Sequence, residues 1–196
     1  MKRIGVLALQ GGVAEHADML KRIPDVEPVL VKTAEELEAT DALIIPGGES
    51  TAVGTILTHD SRGQALRDLL VSRIRQGFPV WGTCMGAILL ARNICNDHRR
   101  HLAVMDIEVH RNAYGSQLDS FTVSEPILGL DGGPFPMVFI RAPVISEVGP
   151  GVQVLARHKG QIVACRQDNL LASTFHPELT EDDRFHRYFV SFLQIK

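Results

Sequence analysis

The first half of the sequence alternates short apolar runs with segments of helical spacing. The runs are RIGVLAL (3–9), PVLV (28–31), ALII (42–45) and PVWG (79–82). This alternation is typical of βα units, whose crossover helices place consecutive strands in parallel. We therefore expect a doubly wound α/β sheet in this half of the chain. The expected helices lie near residues 13–22, 34–39, 51–58, 62–76 and 85–94.

The second half has a different pattern, in which strand-like segments are joined by short polar turns. The segment 105–123 contains an Asn/Gly turn, and Gly160 is expected at the tip of a hairpin. These segments predict antiparallel strands added late to a mixed, mostly parallel sheet. The closing segment 180–195 predicts an amphipathic helix with Thr180 as its N-cap. No linker or repeat interrupts the chain, so we expect one domain over residues 1–196.

Composition excludes several classes of protein. The net charge of -3 gives no electrostatic reason to bind nucleic acid or an anionic membrane. No stretch approaches the ~20 apolar residues of a membrane span. The three cysteines Cys84, Cys95 and Cys165 are far apart and form no CxxC pair, which favours a reducing, cytoplasmic location without a zinc site. We expect neither a metal nor a cofactor.

Cys84 lies between the predicted strand at 79–82 and an apolar helix. It stands in Gly82-Thr83-Cys84-Met85-Gly86, which has the spacing of a G-x-S-x-G nucleophile elbow with sulfur in place of oxygen. On such a turn the helix N-terminus stabilises a thiolate, and the Met85 amide faces the oxyanion that forms on an attacked carbonyl. The alternative is a buried cysteine that behaves as a small apolar residue. The motif alone leaves both interpretations open.

His176 is the histidine best placed to act as a base. It follows the apolar run NLLASTF (169–175) and precedes Pro177, and Glu178 stands two residues further on. A histidine fixed at a strand end, with a carboxylate to hold its tautomer, is the base and orienting group of a triad. The other histidines have simpler interpretations: His16 as a solvated residue or a partner contact, and His186 as a surface helix position.

The third informative turn is PGGES (46–50), at the end of a neighbouring predicted strand. Consecutive glycines let a backbone amide face a ligand. The turn lacks the lysine of a Walker P-loop, so its place beside the cysteine strand favours a substrate or oxyanion role. Ligands in parallel α/β sheets bind at the carboxyl ends of strands, where this turn, LALQGG and the cysteine turn all fall.

These blocks together resemble the PdxT family, the glutaminase subunits of pyridoxal 5′-phosphate synthase among the class I glutamine amidotransferases. The resemblance runs from about residue 4 to residue 192. It rests on GVLALQGGVAEH, LIIPGGEST, PVWGTCMGAILLA, HRNAYGSQLDSF, FIRAP and NLLASTFHPELTED. PGGEST and RNAYGSQLDSF are specific to this family rather than to amidotransferases in general.

The resemblance implies a fold and a set of site residues. The fold would be the flavodoxin-like, three-layer α/β class I glutamine amidotransferase fold, and Cys84, His176 and Glu178 would form the triad. The backbone amides of Gly48 and Met85 would bind the oxyanion. The residues implied for glutamine binding are Gly48, Glu49, Ser50, Arg111, Ile140 and Arg141. The last three rest on the resemblance alone, although an arginine suits the α-carboxylate of glutamine.

The sequence departs from the family pattern at two places. Where the family often has Cys-Ala-Gly-Met, this chain continues Cys84-Met85-Gly86-Ala87, which changes a side chain but leaves the Met85 amide in place. The segment NDHRRHLAVMD (96–106) replaces a glycine-rich run. Neither departure removes a matched triad residue.

The function implied is hydrolysis of L-glutamine to glutamate and ammonia through a glutamyl thioester. The partner implied is the lyase subunit of pyridoxal 5′-phosphate synthase, which receives the ammonia for vitamin B6 synthesis. Gln10 and the first helix would contribute to docking, unless they serve only as cap and core. Two other classes share these residues: a γ-glutamyl hydrolase with an open cleft, and a regulatory module that has lost turnover.

Overall fold

The computed structural model describes residues 1–111 and 120–194. None of the helices among these residues is long and apolar enough to cross a membrane. The strands are β1 (Lys2–Leu7), β2 (Val26–Val31), β3 (Ala42–Ile45), β4 (Val80–Thr83), β5 (Ala91–Ile94), β6 (Met105–His110), β7 (Ser120–Glu125), β8 (Phe135–Ile140), β9 (Val144–Val148), β10 (Gln153–His158), β11 (Gln161–Gln167) and β12 (Leu170–Ser173). The α-helices are α1 (Val13–Lys21), α2 (Ala34–Glu38), α3 (Ser50–His59), α4 (Ser61–Arg75), α5 (Met85–Leu90) and α6 (Arg184–Ser191).

The large sheet combines a parallel and an antiparallel part. Its order is β2-β1-β3-β4-β12-β11-β9-β6-β5, with β10 paired to β11. The strands from β2 to β12 are parallel and follow the flavodoxin-like order, whereas β11 pairs antiparallel with β12, β10 and β9. β7 and β8 form a separate antiparallel pair. The predicted mixed α/β sheet with late antiparallel strands is confirmed.

Helices cover both faces of the sheet, which gives three layers. On one face, α1 and α6 bury an aromatic-rich cluster that includes Trp81, Phe185 and Phe189. On the other face, α2 to α5 bury an aliphatic cluster that includes Val80. Val80 and Trp81 are neighbours in β4 and point to opposite faces, as the period of two in a strand requires.

The carboxyl ends of the parallel strands bring the three predicted turns to one edge. β4 lies between β3 and β12, with Ile45 paired to Gly82 and Ser173 paired to Thr83. The chain therefore leaves β3 toward Gly47, leaves β4 at Cys84 and leaves β12 toward His176, all at neighbouring positions. This edge is where ligands bind in open parallel sheets.

Two predicted helices have different bounds in the structure. The helix expected over 85–94 ends at Leu90, because residues 91–94 form β5 and pair with β6 at the sheet edge. The prediction of Thr180 as a helix N-cap is wrong: α6 begins at Arg184 after Asp183. The Thr180 hydroxyl instead donates to the Pro177 carbonyl (2.9 Å) and accepts from the Asp182 amide (3.2 Å), which holds a turn before the helix.

Gly82 is a position at which even a methyl group should disturb the cysteine turn. A Cβ atom there would lie 2.4 Å from the carbonyl carbon and oxygen of Gly86, so backbone would have to move. We expect Gly82→Ala to lower the free energy of unfolding by about 1–3 kcal/mol, measured by urea denaturation. Gly151→Ala is the control, because its Cβ would meet no atom within 4 Å. A loss below about 0.5 kcal/mol for Gly82→Ala, the range of neutral surface changes, would contradict this prediction.

Candidate active site

Cys84 occupies a strained turn between β4 and α5. Its φ is 49° and its ψ is -105°, a conformation that residues other than glycine rarely adopt. The Cys84 amide donates to the Ser173 carbonyl (2.8 Å), which ties the turn to β12. Gly86 allows the turn to approach β3, since a Cβ there would lie 2.2 Å from the Ile45 carbonyl oxygen. The geometry is that of the predicted elbow, and Cys84 as a whole residue is only 7% exposed.

His176 and Glu178 stand just beyond the end of β12, beside this cysteine. The His176 amide donates to the Val138 carbonyl in β8 (2.7 Å), which fixes the backbone. Its Nδ1–H donates to Glu178 Oε1 (2.8 Å), and its ring lies beside Cys84, since His176 Cε1 and Cys84 Cβ both border the position of a Cβ on Gly47. The structure thus brings the three predicted triad residues together in the predicted order.

The charges around His176 favour its protonated form. Burial lowers the pKa of His176, but hydrogen bonds and charge interactions with Cys84 and Glu178 outweigh it and raise the pKa to about 10. A charged imidazole beside a cysteine is the arrangement that activates a cysteine as a nucleophile.

The turn after β3 packs directly against the triad. A Cβ on Gly47 would lie 2.5 Å from His176 Cε1 and 3.1 Å from Cys84 Cβ, so only glycine fits there. The loop after β1 holds this turn: the Gly12 amide donates to the Gly47 carbonyl (3.1 Å), and the Glu49 amide donates to Gln10 Oε1 (2.9 Å). The sequence predicts docking, or only a capping role, for Gln10 and no separate role for Gly47, so both contacts are new in the structure. The pairs of consecutive glycines, 11–12 and 47–48, were the sequence feature that could have indicated this close backbone contact.

The residues expected to bind glutamine lie along the same edge. Ser50 is the first residue of α3 and is buried, and the Glu49 carboxylate accepts from the Thr51 and Ala52 amides at the start of that helix. The hydrogen bond from the Thr51 amide is the main cause of a lowered Glu49 pKa. Gly48 lies against the loop after β1, with Gly11 Cα 3.2 Å from the position of a Cβ.

Arg111, the last described residue before the gap, joins this edge through its guanidinium. It lies 3.4 Å from Asp97, 3.2 Å from Thr51 Oγ1 and 3.6 Å from Glu49. Asp97 is in turn paired with Arg99, whose hydrogen bonds are the main cause of a strongly lowered Asp97 pKa. Most of the predicted block HRNAYGSQLDSF lies at 112–119, outside the described residues.

The remaining predicted residues occupy two different positions. Met85 is the first residue of α5 and buries its side chain, and its amide has no partner within the helix at that position. Ile140 ends β8 and is 39% exposed, and Arg141 follows with a φ of 45°. β8 contacts His176 through the Val138 carbonyl, and Ile140 and Arg141 follow two and three residues beyond that contact.

The interpretation of His16 and His186 as surface or solvated residues is wrong. Both are fully buried, His16 in α1 and His186 in α6, and they pack edge-on against the Trp81 indole. His16 Nε2 lies 3.4 Å from Glu178 Oε2, so it approaches the triad from behind. No local pattern signals this contact, because His16 and Glu178 are brought together only by the fold.

One group among the described residues has donor atoms arranged as they would be for a metal ion. Cys95, Glu108 and His110 have ligand atoms within 4.8 Å of one another, on the β5–β6 edge of the sheet. They lie beside a cavity of about 380 Å³ that Asp97 also lines. Cavities of about 360 and 490 Å³ surround Gly77 and Phe78 at the opposite, amino ends of the strands and share no residue with the triad.

The fold defines the chain's class as glutamine amidotransferase. A solved structure described as "Crystal structure of glutamine amidotransferase" matches 98% of this chain and 99% of its own with a TM-score of 0.90 and 45% identity. The model of the SNO glutamine amidotransferase family matches residues 6–194. The chain therefore belongs to the SNO glutamine amidotransferase family.

Curated proteins similar to this chain share one name, that of a subunit of pyridoxal 5′-phosphate synthase. A protein of Ruminiclostridium cellulolyticum named "Pyridoxal 5'-phosphate synthase subunit PdxT" is 55% identical over 98% of this chain and 100% of its own length. A protein of the same name from Clostridium botulinum is 50% identical over 97% of this chain and 96% of its own. Family membership favours a glutamine amidotransferase over the γ-glutamyl hydrolase that the residues alone left open.

The protonation of His176 is directly testable. An ordinary imidazole loses its proton near pH 6.5, whereas the raised pKa keeps His176 charged through neutral pH up to about 10. We expect an NMR titration of the His176 ring to show this, and Glu178→Gln to move the titration to lower pH by removing a stabilising carboxylate. Cys84→Ala removes the other partner and should act in the same direction. Titration near pH 6.5 in the unsubstituted protein would show that the ion pair does not form.

Proposed function

We propose that this chain hydrolyses the side-chain amide of L-glutamine with Cys84 as nucleophile and His176 and Glu178 as its partners. The observation that carries the proposal is the position of His176, which is hydrogen-bonded to Glu178 Oε1 and borders Cys84 around the Gly47 backbone. The Cys84 thiolate attacks the amide carbon, and His176 donates its proton to the nitrogen that leaves as ammonia. Water, deprotonated by His176, then cleaves the glutamyl thioester to glutamate and restores the thiol.

The amides of Met85 and Gly48 are proposed to bind the oxyanion that forms in both steps. The Met85 amide begins α5 directly after the nucleophile, and Gly48 belongs to the turn that packs on it. One oxyanion donor is typically worth about 3 kcal/mol. A displaced Gly48 peptide would therefore nearly abolish turnover, and the glycine-rich turns are suited to such a switch.

We propose that glutamine is held by the backbone and side chains around α3 and by Arg111. The Arg111 guanidinium is positioned by Asp97 and Thr51 and is suited to the substrate α-carboxylate. Glu49 lies 3.6 Å from the guanidinium, where a carboxylate can face the substrate ammonium. Gly48, Ser50, Ile140 and Arg141 complete the proposed binding set at the same rim.

The ammonia is proposed to pass to the lyase subunit of pyridoxal 5′-phosphate synthase, because the relatives carry the name of a subunit of that enzyme. The reaction proposed here uses only side chains and water and requires no cofactor. The whole of 1–196 acts as one glutaminase domain, since a continuous sheet carries both Cys84 and His176. The loop after β1, with Gln10, is the proposed docking element. Three free cysteines fit a cytoplasmic location.

The nucleophile is tested by glutamate release from glutamine, measured with and without the synthase lyase subunit. We expect the lyase subunit to stimulate the unsubstituted chain and Cys84→Ala to lose at least about 10³-fold in kcat, because no other group forms the thioester. Cys95→Ser is the matched control and should retain activity. Full activity of Cys84→Ala would refute the mechanism, and absence of stimulation would refute the partner.

Arg111 is tested by the separation of kcat from KM. We expect Arg111→Gln to raise KM for glutamine about ten- to hundredfold, the range for a hydrogen bond to a charged group, with little change in kcat. Arg92→Gln is the control, because Arg92 pairs with Asp106 on an exposed edge. A fall in kcat at unchanged KM would place Arg111 in the chemistry rather than in binding.

A further inference from the structure

Glu178 has one carboxylate oxygen that the triad does not use. Oε1 accepts from His176, whereas Oε2 is buried and receives no hydrogen bond within the described residues. The side chain is only 1% exposed, so bulk solvent does not reach this oxygen. An oxygen without a donor on a buried carboxylate is costly, and among the described residues it leaves one hydrogen bond, from His176, to orient the carboxylate.

The nitrogen that faces this oxygen is His16 Nε2, at 3.4 Å. His16 is fully buried in the middle of α1. The same nitrogen lies 3.2 Å from Oγ1 of Thr83, the residue before the nucleophile. One imidazole nitrogen therefore stands between the carboxylate and the strand end that carries the cysteine.

A second buried histidine determines the tautomer of the first. His186 Nε2 lies 2.9 Å from His16 Nδ1, so one of these two atoms must donate. If His16 Nδ1 donated, the bare Nε2 could accept from the Thr83 hydroxyl, but its lone pair would also face the Glu178 oxygen at 3.4 Å, and the hydrogen on His186 Nδ1 would be buried without an acceptor. If His186 donates, His16 Nε2 carries its hydrogen toward Glu178. His186 Nδ1 is then a bare acceptor, and it is one of the buried atoms without a partner.

Both histidines are neutral in this arrangement. Burial, followed by the nearby His186 and His176, holds the pKa of His16 well below its usual value. Burial lowers the pKa of His186 to about 3, with Asp183 opposing and Arg22 adding to this effect. The Trp81 ring packs against both, 5.6 and 4.9 Å from the two imidazole centroids, and both histidines are 0% exposed. A neutral donor stabilises the Glu178 carboxylate without competing with His176 for its charge.

We propose that His16, oriented by His186, is a positioning residue that holds the second carboxylate oxygen of Glu178. The inference rests on the proposed triad and extends it into α1 and α6. With both oxygens directed, Glu178 presents Oε1 to His176 in one orientation, and the imidazolium remains aligned between carboxylate and thiol. An apolar side chain would fill this space equally well. Burying two imidazoles beside Trp81 costs the free energy of desolvating their nitrogens, which only a polar interaction would offset.

The test compares His16→Leu, which fills the space without a donor, with His16→Gln, which restores one. His186→Met removes the group that orients His16. His158→Gln is the matched control, because His158 is also a buried histidine paired with a carboxylate, Glu125, at 2.7 Å. Two quantities are measured: kcat and KM for glutamine with the lyase subunit present, and the pH dependence of Cys84 alkylation by iodoacetamide in a Cys95→Ser background.

We expect His16→Leu to lower kcat about ten- to hundredfold, the effect of leaving a buried charged group without its donor, with KM within about twofold. Its Cys84 alkylation profile should move to higher pH, because a less stabilised imidazolium supports less thiolate. His16→Gln should recover much of both effects, and His186→Met should show a smaller loss in the same direction. His158→Gln should change neither.

Equal losses in His16→Leu and His16→Gln, or unchanged kcat and alkylation profile in a folded His16→Leu, would overturn the proposal. If His16→Leu does not fold, an unchanged profile in His186→Met overturns it instead. Failure of the triad itself is distinguished by Cys84→Ala: retained activity there refutes the proposed mechanism, whereas loss there with an unaffected His16→Leu refutes only the role of His16.

Discussion

The site depends on the close approach of three backbone segments around Cys84. Gly82 and Gly86 are in mutual contact across the turn, and Gly86 also meets the Ile45 carbonyl, so side chains at these positions would separate β4 from β3. This contact lets the turn after β3 reach the thiol and leaves Cys84 with its positive φ. The strands β3 and β12, which both pair with β4, then lead to the other site residues: Gly48 after β3, and His176 and Glu178 after β12.

The electrostatics follow from this geometry. His176 lies between the Cys84 thiol and the Glu178 carboxylate, and these two groups oppose the effect of burial on its pKa. Burial alone would discharge His176, and its raised pKa shows that the two partners prevail. The neighbouring histidines His16 and His186 have the opposite outcome, because burial is the largest influence on each of them and lowers the pKa.

The sequence predicted those features that are encoded locally. The βα alternation gave the parallel strands, and the elbow spacing and the HPE string gave Cys84, His176 and Glu178, which the fold brings together. Local spacing was misleading where pairing across the sheet decided the structure, as for β5, whose residues continue a helical pattern but complete an edge. His16 and His186 could not be placed, because their contacts span 170 residues of chain and a histidine on a short helix has no burial signature of its own.

The loop after β1, together with α1, contacts both the Gly48 turn on one side of Cys84 and Glu178 on the other. Through Gly12 and Gln10 it is bonded to the turn that carries Gly48, and through α1 it carries His16 to the back of Glu178. A rigid displacement of α1 would therefore strain the oxyanion side and the carboxylate side at the same time. The stiffness of α1, a helix of nine residues, therefore determines how far the Gly48 turn and the Glu178 carboxylate can move independently of each other.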